Sequence, residues 1–321
     1  MNTIESQYFQ EKYPALTGLL ESVKCPICQK EDYDVLQEAK YPSDTSKNDF
    51  LNAYSSSSDH ILMDRLVQCK TCSLVYLNPR VDSSIILESY SKAVDSKFIE
   101  QNPDRIKTFK RNFANILEKY PVKQQARVLD IGCAGGAFPE AVHQLGCDVI
   151  GIEPSQWLCE QGRKMYGLDL RSGVLKDQSF ENSFFDYITL WDVIEHLTDP
   201  SQELAEIRRV LKDEGYFIVN YPDYGSLARR LLNEKWPFYL SVHLYYFTPS
   251  TITQYLNQNG FDVVSVKPYW QTLPLGYVLE RAEKYFKMFS VFSKITDALS
   301  LSKLSLTYNV GQTLVVARKK R

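Results

Sequence analysis

Between Arg127 and Gly136 the chain reads Arg-Val-Leu-Asp-Ile-Gly-Cys-Ala-Gly-Gly, a short apolar run that stops abruptly in glycine. Such a run reads as a strand buried on both faces. A helix follows, with Phe138, Val142 and Leu145 on one face and Gly146 as its cap. The same grammar repeats downstream. Strands are expected at Asp148–Ile152, Phe185–Leu190, Tyr216–Asn220, Phe261–Val266 and Thr313–Ala317. Between them lie helices over Ser155–Tyr166, after Asp199-Pro200 (Leu204, Ile207 and Leu211 inside, Gly215 at the end) and after Thr248-Pro249. Strand and helix in alternation argue for an α/β fold with a parallel, doubly wound sheet.

The remainder divides around this unit. Residues 1–24 read as a helical lead-in, and residues 1–80 as a small N-terminal module. Residues 81–125 read as a helical linker carrying Phe98, Ile106, Phe109, Phe113, Ile116 and Leu117 at helical spacing, stopped by Pro121. Residues 126–321 form the α/β domain, with a helical insertion at about 268–310. There Val278, Ala282, Tyr285, Phe289, Phe292, Ile295 and Leu299 recur at spacings that make one amphipathic face, with Lys284, Lys287 and Lys294 between them. That face is expected to serve packing or a homodimer contact through residues 276–300, with shallow membrane contact as the rival.

The glycine turn carries the chemistry. Small residues between a strand and a helix let a ligand approach the backbone closely. Glu153 ends the next strand, 23 residues after Asp130, where an acid can accept both ribose hydroxyls of an adenosine. A nicotinamide dehydrogenase shares this layout, but its G-x-G-x-x-G fingerprint is replaced by Gly132-x-Ala134-x-x-Ala137.

These residues resemble a class I S-adenosylmethionine (SAM)-dependent methyltransferase over about Arg127–Asn220. Asp130, Gly132, Ala134 and Gly136 stand at the family's first motif, with alanine where its middle glycine is usual. Glu153 with Pro154 matches the second motif. Phe185-Asp186 through Trp191-Asp192-Val-Ile-Glu195-His196-Leu-Thr-Asp199-Pro200 is similar to the pattern around its fourth strand, and Arg209-Val-Leu-Lys-Asp-Glu-Gly215 to the turn after the next helix. The resemblance implies a Rossmann-like, seven-stranded, mostly parallel sheet. It also implies SAM as cofactor, held by Asp130, Gly132, Ala134, Gly136, Glu153, Pro154, Trp191 and Asp192. The paired C-x-x-C knuckles Cys25–Cys28 and Cys69–Cys72 ahead of this domain, with His243-Leu-Tyr-Tyr-Phe-Thr-Pro after it, narrow the likeness to a bacterial subgroup that occurs with enzymes of sugar and surface-glycan biosynthesis.

Methyl transfer to oxygen or carbon needs a base, and histidine titrates in the right range. Of the four histidines, His60 lies in a serine-rich insertion and His143 on the first crossover helix, both expected at the surface. His196 follows the fourth strand, on the side where ligands sit in such sheets. His243 lies in the connection expected to meet the acceptor. His243 is assigned as base and His196 as organiser of the pocket floor, with packed loop histidines as the alternative. Tyr221, Tyr224, Trp236, Phe238, Tyr239, Tyr245 and Tyr246 crowd that connection, as a cover for a sugar ring or as a packed lid.

Cys25-Pro-Ile-Cys28 and Cys69-Lys-Thr-Cys72 are paired knuckles whose four thiolates suit tetrahedral Zn²⁺. A redox dithiol is the rival, and it would want one pair beside a βαβ unit. A closed four-sulfur site has no open position, so the expected zinc is structural. Cys133, Cys147 and Cys159 are expected to pack as small apolar residues.

A net charge of −2 argues against a dedicated nucleic-acid binder. No apolar run approaches the ~18 residues of a membrane span, and the polar start lacks a signal-peptide core, so the cytoplasm is the expected location. The chain reads as a methyltransferase acting on a small molecule, a nucleotide- or lipid-linked sugar. The alternatives are a quinone-like or other aromatic acceptor, or a SAM-binding module without turnover.

Overall fold

A computed structural model describes residues 11–55, 58, 60–122, 125–283, 289–299 and 301–320. The described start is only partly helical. Pro14 disfavours the helical region for the residue before it, and Tyr13 sits at φ −131°, ψ 64°. A 3-10 turn over Pro14–Leu16 leads to β1 (Leu20–Glu21). The N-terminal segment continues through β2 (Tyr33–Gln37), α1 (Lys47–Ala53), β3 (Leu66–Cys69), β4 (Val75–Leu77) and β5 (Arg80–Val81), the last pairing with β1. Helices α2 (Ser83–Ser91), α3 (Ser96–Glu100) and α4 (Asn102–Lys119) follow.

The doubly wound unit is built from β6 (Arg127–Ile131), α5 (Ala137–His143), β7 (Asp148–Glu153), α6 (Gln156–Tyr166), β8 (Asp169–Ser172), β9 (Phe185–Trp191), α7 (Pro200–Val210) and β10 (Leu211–Pro222). After it come α8 (Leu227–Leu232), β11 (Tyr245–Tyr246), α9 (Pro249–Gln258) and β12 (Phe261–Pro268). The last elements are β13 (Gln271–Pro274), α10 (Leu275–Glu283), α11 (Phe289–Ala298), β14 (Ser305–Tyr308) and β15 (Gln312–Lys319). Seven strands form one sheet in the order β12-β15-β10-β9-β6-β7-β8. Only β15 runs antiparallel to its neighbours. This is the Rossmann-like methyltransferase architecture. Successive residues alternate between its two faces. Val128, Tyr187 and Ile218 pack with Phe113 and Phe138 on one side. Leu129, Ile188 and Phe217 pack with Leu204, Ile207 and Ile252 on the other.

The helix expected to run to Gly215 stops at Val210. Leu211 is buried as a strand residue paired with Phe185, and the register shifts before Tyr216. Gly215 is pressed against β9, where a Cβ would lie 2.9 Å from the Asp186 carbonyl oxygen. Residues 268–310 are not helical throughout: β13 and β14 form a two-stranded ribbon, beside which α10 and α11 pack together. Thr108 of α4 ties the ribbon down, its hydroxyl donating to the Thr272 carbonyl at 3.0 Å. Lys284, Tyr285 and Lys287 of the expected amphipathic face lie outside the described residues. Phe292, Ile295 and Leu299 are half-exposed or more. Among the described residues no helix is long and apolar enough to cross a membrane.

The N-terminal strands form a four-stranded sheet in the order β11-β4-β3-β2, so its edge strand comes from the connection after β10. Leu66, Val67, Tyr76, Tyr245, Tyr246 and Phe247 share one apolar core with β9 and β10.

Candidate functional site

The carboxyl ends of β6, β7, β9 and β10 bring the motif residues to one edge of the sheet. After β6 the backbone turns through three left-handed residues, Gly132 (φ +75°), Ala134 (φ +46°) and Gly136 (φ +81°). Alanine thus adopts the conformation that glycine would take, at a cost of roughly 1–2 kcal/mol. The amides of Gly132 and Cys133 both donate to the Ile152 carbonyl, which pins the turn to β7. Glu153, at the end of β7, receives the Ala134 amide on Oε2 at 3.1 Å and the Ser155 amide on Oε1 at 3.0 Å. Pro154 has no amide to offer, and Ser155 supplies the second donor. Burial pushes the Glu153 carboxyl up to about 7, against the pull of the two amides.

Asp130 lies wholly inside, receiving the Thr189 hydroxyl at 2.7 Å, and burial holds its carboxyl well above the usual range. Trp191 packs among Phe109, Phe138 and Tyr269, with centroid distances of 5.0–5.5 Å, while its indole N–H has no partner among the described residues. Asp192 has φ +55°. Asn220 clamps it by accepting its amide at 2.9 Å and donating to Oδ1 at 3.0 Å, and Gln312 donates to the same oxygen at 2.6 Å. Burial raises the Asp192 carboxyl to about 6, and the charge of Arg105 pulls the other way.

His196 and His243 come together from separate connections, with ring centroids 4.7 Å apart. His243 is 5% exposed, and burial drives its imidazole well below the usual range. Glu195 lies against the pair. His60 and His143 are exposed, as expected. The aromatic connection is mainly a packed lid: Tyr221, Trp236, Tyr245 and Tyr246 are buried, and Trp236 donates to the Val310 carbonyl at 2.8 Å. Tyr224 and Phe238 remain half-exposed.

Several residues beside the motif edge carried no motif signal. Asn102, the first residue of α4, donates to the Gly135 carbonyl at 3.1 Å. Arg105, one turn on, lies over the Phe98 ring at 3.9 Å. Tyr90 of α2 sets its ring against His196 at 6.1 Å. Asn102 Oδ1, Arg105 Nε and the Tyr90 hydroxyl are buried without a partner among the described residues. All three come from residues 81–125, whose amphipathic spacing announces packing and hides the few polar positions that reach the motif edge.

Away from the motif edge, the four cysteine sulfurs converge, with all ligand atoms within 4.8 Å of one another. Cys25 Sγ lies 3.4 Å from Cys72 Sγ, and Cys28 Sγ 3.3 Å from Cys69 Sγ. The two knuckles fold alike. Gln29 and Ser73 are left-handed, and each donates to the first cysteine's carbonyl, at 2.8 and 2.9 Å. Cys133, Cys147 and Cys159 are buried, as expected.

Sheet order, glycine turn and the acid after β7 define a class I SAM-dependent methyltransferase domain. The chain belongs to the methyltransferase-domain family, whose profile matches residues 98–266. It is 31% identical over 157 residues to an uncharacterized methyltransferase of Schizosaccharomyces pombe, covering 43% of this chain and 53% of that one. It is 28% identical over 156 residues to a ubiquinone biosynthesis O-methyltransferase of Cereibacter sphaeroides, covering 45% of this chain and 63% of the relative. A third relative, a 37.1 kDa protein of a Streptomyces fradiae transposon, is matched over 47% of its length at 28% identity. The chain thus spans about half of these curated relatives. A SAM-dependent methyltransferase structure from Archaeoglobus fulgidus overlaps 70% of this chain and 100% of its own at TM-score 0.48 and 17% identity.

Proposed function

We propose that the chain transfers a methyl group from SAM to a small-molecule acceptor. The observation that carries this is the buried Glu153 carboxylate beside the left-handed turn of Gly132, Ala134 and Gly136. A carboxylate has about four acceptor positions, and two backbone amides use only part of Glu153's capacity. The remainder suits the ribose hydroxyls. The residues fit the methionine end as well, because Asn102 Oδ1, Arg105 Nε and Trp191 Nε1 are buried polar atoms without partners among the described residues. A buried polar atom left bare costs about 1–3 kcal/mol, so a ligand that meets it is favoured. Asp130, Pro154 and Asp192 shape the floor. Bound SAM supplies an electrophilic methyl on a sulfonium. His243 takes the acceptor's proton, His196 organises the pocket floor beneath it, and the packed aromatic connection keeps water out.

The acceptor we assign is a nucleotide- or lipid-linked sugar of glycan biosynthesis, handled in the cytoplasm. This rests on the paired knuckles Cys25–Cys28 and Cys69–Cys72 together with the His243-to-Pro249 segment. A quinone-like acceptor is the second reading, favoured by the likeness to ubiquinone O-methyltransferases. Residues 1–80 are proposed as a zinc module, with 81–125 a linker and 126–321 the transferase domain. Zn–S arms of ~2.3 Å in a tetrahedron put sulfurs about 3.8 Å apart. The observed 3.3 and 3.4 Å pairs need only open slightly. The half-exposed apolar side chains of 276–300 are the proposed dimer contact.

Calorimetric titration with S-adenosylhomocysteine tests the reading. Glu153→Ala should weaken binding by about 2–3 kcal/mol, roughly 30- to 150-fold; unchanged affinity would reject it. Labelled SAM offered with panels of sugar nucleotides and of quinone-like phenols separates the two acceptor classes.

A further inference from the structure

Glu195 stands apart among the site's acidic groups. Its side chain is almost wholly buried, at 1% exposure, yet neither carboxylate oxygen has a hydrogen-bond partner among the described residues. Native proteins rarely leave a buried carboxyl group in that condition unless it meets a partner in function. Its neighbours are the two paired histidines. His196 Nε2 lies 3.9 Å from Glu195 Oε1, and one ligand atom from each of Glu195, His196 and His243 lies within 4.8 Å of the others.

The histidines' other nitrogens are committed. His196 Nδ1 lies 2.9 Å from the Val242 carbonyl oxygen, and His243 Nδ1 lies 2.7 Å from that of Phe238. A carbonyl only accepts, so both Nδ1 atoms carry hydrogen and both neutral rings keep their lone pair on Nε2. His196 therefore turns its lone pair toward Glu195, and His243 completes the same buried cluster. The groups that face them are Asp192 at the end of β9, Tyr90 on α2 with Glu153 beyond it, and Tyr246 on β11. The Tyr246 hydroxyl is turned away to the Leu240 carbonyl at 2.8 Å. None of these supplies a positive charge.

We propose that Glu195 is the positioning residue of the methyl transfer, holding with His196, as one unit, the proton that His243 takes from the acceptor. This rests on the methyltransferase reading above. In the step, the acceptor's X–H bond breaks and its electron pair forms the new X–C bond. The S–C pair remains on sulfur, which becomes a neutral thioether, and the proton passes to His243 Nε2. The Glu195 carboxylate then faces an imidazolium in place of a bare lone pair. Without Glu195 the two imidazoles would have to carry that charge in a buried site alone. Burial already lowers His196 to about 4, while Glu195 is pushed well above the usual carboxylate range. The trio therefore binds its proton more tightly than either histidine could, and it titrates as a unit.

Because the chain has only four histidines, nitrogen-resolved NMR of the full-length protein with ¹⁵N-labelled histidine reads the trio without an acceptor. His60 and His143, both exposed, serve as reference signals outside the trio. In the wild type, His196 and His243 should report one shared protonation between pH 5 and 9. In Glu195→Gln its midpoint should fall by at least ~1 pH unit, while Glu195→Asp keeps the event. Identical midpoints in wild type and Glu195→Gln, or no shared event in the wild type, overturn the proposal. Two zinc ions per wild-type chain, falling to one in Glu195→Gln, would overturn it as well, since a metal would then be the cation held there. S-adenosylhomocysteine calorimetry on the same samples judges the methyltransferase reading separately. Absent binding there would reject that reading, and a Glu195-dependent titration would then stand as a proton site alone.

Discussion

Gly162, inside α6, stands against the backbone of Gly135 in the glycine turn after β6. A Cβ on Gly162 would lie 3.0 Å from the Gly135 carbonyl oxygen and 2.4 Å from Leu170 Cδ1. The second crossover helix therefore presses directly on the loop that the ligand must approach. At an unhindered helix position, glycine to alanine gains up to ~1 kcal/mol. Here the sign should reverse. Gly162→Ala is expected to cost about 1–3 kcal/mol in thermal unfolding and to weaken S-adenosylhomocysteine binding, because the buried Leu170 side chain must move while the Gly135 backbone crowds the same methyl at 3.0 Å.

With Glu153 as the proposed ribose acceptor, cofactor affinity is expected to depend on pH. Its carboxyl is held near 7 by burial, and ribose hydroxyls need it ionised. Below that value the free protein must lose a proton before it binds, so each further pH unit costs about tenfold. Binding should be roughly tenfold weaker at pH 6 than at pH 8 in the wild type. Glu153→Gln, weaker throughout, should lose the difference. The same shift bears on stability. Between about 4.5 and about 7 the folded chain keeps a proton that the unfolded chain releases, so this contribution declines as pH rises through that window.

His243→Asn removes the proposed base and keeps a polar side chain of similar size. Cofactor-product affinity should stay within a few-fold of wild type, while turnover on the acceptor found by the labelled-SAM panels falls by ~10²–10⁴. Turnover within a few-fold of wild type would exclude His243 as base. Loss of turnover in His196→Asn alone, with binding intact, would exchange the two roles.

Legibility followed locality. The β6 strand, the glycine turn, Glu153 and the Asp192–His196 stretch are contiguous patterns, and each folds where its own residues direct. The joining of His196 with His243 depends on how the connection after β10 folds back, and no spacing encodes that. Arg105, Asn102 and Tyr90 sit in helices whose apolar periodicity dominates the reading. Strand β8, Asp-Leu-Arg-Ser, has one apolar residue and is buried only at Leu170, too weak a period to register. Gly215 mimicked a helix cap because Leu211 is apolar whether it ends a helix or starts a strand.

The cysteine knuckles were legible and their integration was not, and from that integration follows a prediction about cooperativity. Tyr245 and Tyr246 complete the N-terminal sheet by pairing with Tyr76 and Val75 of β4. Buried Arg80 donates to the Tyr245 hydroxyl and the Thr198 carbonyl, both at 2.8 Å, and pairs with Glu21 at 2.8 Å. Breaking a buried hydrogen-bonded charge of this kind costs about 3–5 kcal/mol, so neither region should loosen without the other. Elemental analysis should find about one zinc per chain. Chelation, or Cys69→Ser, should then lower the main calorimetric transition by ~10 °C or more, since structural zinc contributes several kcal/mol and a chain this size moves ~2–4 °C per kcal/mol. We expect a single transition before and after metal removal. Two transitions, only the smaller sensitive to the chelator, would show that residues 1–80 fold apart from the sheet, and that the shared core around Tyr245 does not couple them.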